Sequence, residues 1–335
     1  HVTGYSLTEK KDVWGFQNNE KFAYMRLNFK TLADRRKVNS VFAYNREYMK
    51  YHVYESNLDP VLRLMHRTGI QSTGWLDTGS DCIRSHLAKV DIDLWCNDWR
   101  TLKPVERDDI APFVVASFDI ECNSSTGKFP DADVPGDACF QIAISLCKFG
   151  NDEPYEKTCL CYKKTDGPDV VSFDTEREML EAFQKYIQEK DVDILTGWNI
   201  FGFDLEYIFK RALLTDCNEE FFNLGKLHDP PSQLLLKKLS SSALGDNFLK
   251  LLPMTGRFIF DMFHEVKKGY KLDSYSLNNV SKLYLDDQKI DMSPKEMFAR
   301  YTEGDPAKLA EVAEYCIKDT LLPHKLLKKL CTLLN

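Results

Sequence analysis

Residues Phe113–Cys122 read FVVASFDIEC. FVVASFDI is an apolar run with β-branched residues, the pattern of a strand covered on both faces. Two acids, Asp119 and Glu121, close it. Residues two apart on a strand point to the same side, so both carboxylates can converge on one cation while Ile120 packs on the other side. An unpaired acid is costly to bury at the end of the most hydrophobic strand in the chain. The triplets Asp174-Thr-Glu176 and Asp204-Leu-Glu206 share the spacing but not that setting. The plain alternative for Asp119 and Glu121 is a strand running out into a polar loop.

Downstream of Pro112, strand and helix patterns alternate. QIAISLCKF and KTCLCYKK read as the next two strands. In Glu176–Glu189 the apolar residues Met179, Leu180, Phe183 and Ile187 share one helical face, with Asp174 or Thr175 as the cap. DVDILTGWN gives a fourth strand, Phe203–Leu214 a helix and GRFIFDMF a fifth strand. Helices follow at about 274–284, 294–301 and 306–334. The order predicts an α/β domain whose mixed sheet is covered on both faces. Upstream, residues 20–105 mix short alternating stretches (KFAYMRLNF, KYHVYES) with one helical pattern over Asp59–Thr68, which reads as a small α+β unit. Pro104 and Pro112 flank an acidic stretch and place a boundary there.

The composition fits this reading. The chain has 335 residues, 43% hydrophobic and 28% charged, enough for two domains with cores. It contains no stretch resembling a membrane span. The opening HVTGYSLTEKKDVW lacks the apolar core of a signal peptide, and a start at His1 reads as a fragment. Ten cysteines without a CxxC pair make neither a zinc framework nor a small disulfide scaffold, so free thiols and a reducing compartment are expected. A net charge of −7 argues against a surface that grips duplex phosphates directly. Acids gathered in one cleft can instead hold divalent cations that meet a phosphodiester.

Two further clusters matter. Asn199-Ile-Phe-Gly-Phe-Asp204 lies at a strand-to-helix turn on the carboxyl edge of the sheet, where sites occur in α/β folds, and Gly202 permits a tight path. Helix capping is the plain reading of Asp204. Tyr315-Cys-Ile-Lys-Asp319 lies in the last helix, with phenol and carboxylate four apart on one face. A core aromatic and a surface charge are the plain readings. Taken together, four acids and a tyrosine suit two-metal phosphodiester hydrolysis, because two ions about 3.5–4 Å apart need several oxygen ligands, one of them bridging.

FDIEC, NIFGFD and YCIKD, in that order, resemble the Exo I, Exo II and Exo III motifs of the proofreading exonuclease in family B DNA polymerases. YCIKDTLLPHKLLKKL and YKLDSYSLNNVSKLYL resemble the delta-type replicative enzymes and their relatives in large DNA viruses. YESNLDPVLRLMHRTGIQSTGW is similar to the domain that precedes the exonuclease in those polymerases. The resemblance implies a ribonuclease H-like DEDDy exonuclease domain at 111–335, preceded by an N-terminal domain at 1–110. It implies that Asp119 bridges two Mg²⁺ ions, with Mn²⁺ a substitute. Glu121 and Asp319 would complete the water-activating site, Asp204 would serve the second ion, and Tyr315 would orient the attacking water. In-line attack would release a 5′-mononucleotide.

By the same resemblance, Asn199 and Phe203 lie near the frayed primer end. Tyr270, Lys271, Ser274 and Tyr275 would line a channel for single-stranded DNA, since mixed aromatic and basic surfaces tolerate any base. Lys289 corresponds to a lysine that assists the leaving phosphate. For Asp261 a structural pair with Arg257 or a neighbouring helix is expected ahead of a role in the site's acidity. Expected partners are the single-stranded 3′ end of a primer, the palm, fingers and thumb of the parent polymerase, and a sliding clamp or processivity factor, in a nucleus or at a viral replication site, with no membrane. SLYPS-like and YGDTDS-like palm motifs do not occur before Asn335, so this stretch is not expected to polymerise. Asp216–Thr255 matches poorly and reads as a variable helical or loop region. The alternatives are a free-standing DEDD nuclease acting on DNA or RNA, and a structural module with a dead site.

Overall fold

The computed structural model describes residues 1–228, 230–241 and 245–332. The chain divides into two compact units, one of His1–Cys82 with Cys96–Arg107, the other of Ile83–Trp95 with residues from Asp108 onward.

The first unit contains strands β1 (Val2–Lys10) and β2 (Phe22–Phe29), helices α1 (Leu32–Tyr44) and α2 (Pro60–Thr68), and strand β3 (Trp75–Asp77). Short strands β4 (Cys82–Arg84) and β5 (Leu94–Cys96) follow at the changeovers, then β6 (Lys103–Val105). β1 pairs antiparallel with β2, and β3 with β6. The expected helix is α2: Asp59 caps it, Pro60 starts it and Gly69 ends it in the left-handed conformation, φ 75°. KYHVYES forms no strand.

The second unit is a mixed α/β domain. Its elements are β7 (Val114–Cys122), β8 (Cys139–Lys148), β9 (Glu156–Tyr162), β10 (Val170–Phe173), α3 (Glu176–Glu189), β11 (Ile194–Thr196) and α4 (Asp204–Leu214). β12 (Leu235–Ser241), β13 (Gly245–Leu251), β14 (Phe258–Ile259), α5 (Met262–Gly269), α6 (Leu277–Leu285), α7 (Pro294–Glu303) and α8 (Pro306–Lys329) complete it. Six strands form one sheet in the order β10-β9-β8-β7-β11-β14. β8 runs antiparallel to both β7 and β9, while β11 runs parallel to β7 and β14.

Alternation along β7 sorts its side chains. Val114, Ala116, Phe118, Ile120 and Cys122 enter a core with Met179, Leu180, Phe183 and Ile187 of α3 and Leu205 and Ile208 of α4. On the opposite face Val115 packs with Met262, Val280, Leu322 and Leu326 from α5, α6 and α8. Helices therefore cover both faces, as the sequence predicts. The α3 cap is Thr175: its hydroxyl accepts from Glu178 N at 3.1 Å and the Glu178 carboxylate accepts from Thr175 N at 3.0 Å. Phe118 and Phe183 meet at 5.6 Å between ring centres, both buried. Phe183→Ala is expected to cost about 3–5 kcal/mol, read as a shift in the denaturant midpoint at unchanged slope.

Two further expectations are corrected. Asp216–Thr255 is not a helical or loop region throughout, because β12 and β13 pair antiparallel within it, in register from Leu235↔Leu251. Within it, Asp229 and residues 242–244 lie outside the described residues. GRFIFDMF is strand only at Phe258–Ile259, since the Asp261 side chain accepts from Phe263 N and starts α5.

Candidate active site

β7 delivers Asp119 and Glu121 on the α8 face of the sheet. Asp119 is part-exposed and Glu121 is 8% exposed. α8 passes this strand end with Cys316, whose Sγ donates to the Asp119 carbonyl at 3.5 Å and lies 3.9 Å from Asp119 Oδ2. One ligand atom from each of Asp119, Glu121 and Cys316 falls within 4.8 Å of the others, a donor group able to hold a metal ion.

Asp204 arrives from the β11–α4 turn. Gly197 is required there, since a Cβ would sit 2.5 Å from the Phe118 carbonyl oxygen and 2.6 Å from Ile200 Cγ2. Asn199 adopts φ 63°, a conformation Asn tolerates better than most residues, and a Cβ at Gly202 would strike the Asn199 side chain. The turn is anchored by Asp261. Its carboxylate accepts from Asn199 N at 2.8 Å and Phe201 N at 3.0 Å as well as capping α5. That is its structural role; Arg257 instead donates to the Leu224 carbonyl and to Gln188 Oε1, at 2.8 Å each. Asp204 itself does not cap α4. The cap position is Phe203, Asp204 is the first helical residue, and at 4% exposure it turns inward.

Asp319 on α8 is 2% exposed. Lys289, from the α6–α7 connection, forms an ion pair with its Oδ2, and the Lys289 Nζ lies 5.0 Å from the centre of the Tyr315 ring. Tyr315 packs beside Phe140, Met297, Leu309 and Val312.

The electrostatics follow from burial and crowding. Burial first, then the charges of Asp319, Asp204 and Glu121, push Asp119 well above the usual carboxylate range. Burial and Asp319 do the same to Glu121. Burial raises Asp204 to about 7, against the Ile120 N–H that favours its ionised form. Burial raises Asp319 too, with Lys289 opposing. For Lys289 burial works against the ammonium, but Asp319 and Asp119 outweigh it and hold the pKa well above the ordinary lysine value. Four acids thus share one lysine. An oxygen-rich site in which four buried or half-buried acids face a single lysine fits divalent cations.

Other expected residues have more local roles. Phe203 meets Tyr207 at 5.0 Å and the exposed Phe129 at 5.2 Å between ring centres. Tyr275 donates to the Tyr270 carbonyl at 2.9 Å, and Ser274 donates to Ser276 at 3.4 Å, shaping the α5–α6 turn. Lys271 is exposed beside them. Sequence reasoning missed Cys316, although it lies inside YCIKD. A separate cavity of about 500 Å³, lined by Tyr162, Glu176, Arg211 and Tyr301, includes none of the four acids. Arg211 is spent there on Glu176, at 2.6 and 2.7 Å, and on three backbone carbonyls.

The family model for the exonuclease domain of DNA polymerase family B matches residues 51–280. That span holds Asp119, Glu121 and Asp204, while Tyr315 and Asp319 lie beyond it. The chain is similar to the DNA polymerase of Paramecium bursaria Chlorella virus NY2A, 34% identical over 336 residues, covering 97% of this chain and 36% of the relative. It is 29% identical over 351 residues to the DNA polymerase delta catalytic subunit of Dictyostelium discoideum, covering 100% of this chain and 31% of that protein. The delta catalytic subunit of Arabidopsis thaliana is 34% identical over 294 residues, 85% of this chain and 26% of its own length. The chain spans about a third of the length of these relatives. With its matched span, its mixed sheet and its metal-ready acids, the chain belongs to the exonuclease domain family of the family B DNA polymerases.

Proposed function

We propose that this chain is the proofreading 3′→5′ exonuclease portion of a replicative family B DNA polymerase, hydrolysing the terminal phosphodiester of DNA and releasing 5′-mononucleotides. Carrying the reading is one observation: β7 and α8 bring a ligand atom each from Asp119, Glu121 and Cys316 within 4.8 Å of one another, on the helix that also carries the buried Asp319 with its Lys289 counter-charge. The fold is proposed as ribonuclease H-like of the DEDDy type. Residues 111–335 are the exonuclease domain and 1–110 the N-terminal domain; the compact units change at Arg107/Asp108, with Ile83–Trp95 grouped with the second unit.

Asp119, Glu121, Asp204 and Asp319 would hold two Mg²⁺ ions, or Mn²⁺ in their place. Bound there, such ions would supply Lewis acidity, lowering the pKa of water and offsetting charge on the leaving 3′-oxygen. The chain's own groups do the rest. Tyr315 orients the attacking water, and Lys289 sets a fixed positive charge beside Asp319. Asn199 and Phe203 receive the frayed 3′ nucleotide, and Tyr270, Lys271, Ser274 and Tyr275 line the path of the single strand. Partners are the primer 3′ end, the remaining polymerase regions and a sliding clamp, at nuclear or viral replication sites. Among the described residues no helix is long and apolar enough to cross a membrane. The test is degradation of 5′-labelled single-stranded DNA in Mg²⁺. Stepwise shortening that stops on chelation is expected; an untouched strand, or shortening from the 5′ end, overturns the reading.

A further inference from the structure

Lys289 reaches the acids from a connection rather than from a helix or strand. α6 ends at Leu285, Asp286 turns the chain with φ 52°, and α7 begins only at Pro294. Such a segment does not by itself hold a long side chain in one place. Here it is tied down. Asp287 accepts from Lys318 Nζ at 2.8 and 3.0 Å and from Lys325 Nζ at 2.9 Å. It also accepts from Gln288 N at 2.8 Å, while Lys289 N donates to Asn278 Oδ1 on α6 at 3.2 Å. Lys318 and Lys325 lie seven residues, two turns, apart on α8 and so share a face. The same helix carries Tyr315 and Asp319. The connection is therefore fixed to the element that supplies Lys289's ion-pair partner.

We propose that Asp287 is a positioning residue for the exonuclease reaction: its clamp on Lys318 and Lys325 docks the α6–α7 connection on α8 and so sets Lys289 against Asp319. The inference rests on the exonuclease reading. The bland account is a partly exposed ion pair that contributes little to stability. That small contribution makes the two accounts separable. Releasing the clamp leaves the fold intact, yet a displacement of about 1 Å in a reacting group can cost on the order of a hundredfold in rate. The loss falls on turnover, because Asp287 itself touches no DNA.

With the full chain, Mg²⁺ and end-labelled single-stranded DNA, Asp287→Ala is expected to lower kcat about tenfold, with KM held within about twofold. Lys318→Ala and Lys325→Ala each remove one leg and lower kcat about two- to threefold; together they match Asp287→Ala. In a Lys289→Ala background Asp287→Ala adds nothing, the signature of residues acting as a unit. A readout independent of turnover comes from metal-free protein with ¹³C-methylated lysines. The Lys289 resonance, assigned through Lys289→Arg, moves toward those of exposed lysines in Asp287→Ala. Losses that add in the double variant, or that follow a falling Tm, overturn the proposal. So does a Lys289 resonance that stays in place. Full activity in Asp287→Ala beside an inactive Asp119→Ala sinks the clamp alone, whereas full activity in both sinks the exonuclease reading as well.

Discussion

Asp119→Ala is expected to lower exonuclease turnover at least about a thousandfold while the protein stays folded. A bound divalent cation supplies several kcal/mol of charge stabilisation to phosphoryl chemistry, and each 1.36 kcal/mol is tenfold in rate. Asp119 is the acid facing most of the others, with Asp319, Asp204 and Glu121 all acting on it. Its removal therefore weakens the whole cation site rather than one corner. Stability should rise if anything, because a charge held in a crowded, partly dry place is taken away. Rates of 3′ shortening measured beside thermal melts check both halves. Equal rates for wild type and variant would remove Asp119 from the site.

The second large effect is on stability against pH. Asp204 ionises near 3.8 when unperturbed and is raised to about 7 in the fold by burial. A carboxyl group raised on folding stabilises the native state fully below its unfolded value and loses that contribution as pH climbs through the folded one. Asp261, raised to about 6 chiefly by burial, has the same sign. Metal-free protein should thus lose on the order of a few kcal/mol between pH 4 and 8. Adding Mg²⁺ at pH 8 should restore much of it, because a ligand that binds only the native state stabilises it by mass action. Melting curves in chelator and in millimolar Mg²⁺ at both pH values provide the check. A metal-free Tm that climbs steadily from pH 4 to 8 would refute the assignment of raised carboxyls.

The sequence showed its sheet where burial leaves a mark. FVVASFDIEC, QIAISLCKF and KTCLCYKK are apolar enough to announce β7, β8 and β9, and the four-residue face of α3 carries its own cap. Weakly patterned elements stayed hidden. α1 buries none of its residues, so no stripe marks it. β10 is a four-residue edge strand, and β12 and β13 pair largely with each other. α5 was masked because GRFIFD looks like a strand until Asp261 turns it. In the site, two-residue and four-residue spacings revealed Asp119 with Glu121 and Tyr315 with Asp319. The clamp on Lys289 was illegible, since Asp287, Lys318 and Lys325 meet only through tertiary packing.

That the first and last acids stand two hundred positions apart, on β7 and α8, also bears on timing during synthesis. A ribosome adding about 5–20 residues per second releases FDIEC roughly 10–40 s before YCIKD. Through that interval the nascent chain has at most α5 and α6 to cover the α8 face of its sheet, and its cleft lacks Asp319. The docking of α8 completes both the cover of that face and the set of four acids, so on the proposed function the capacity to hydrolyse DNA would appear only with that step.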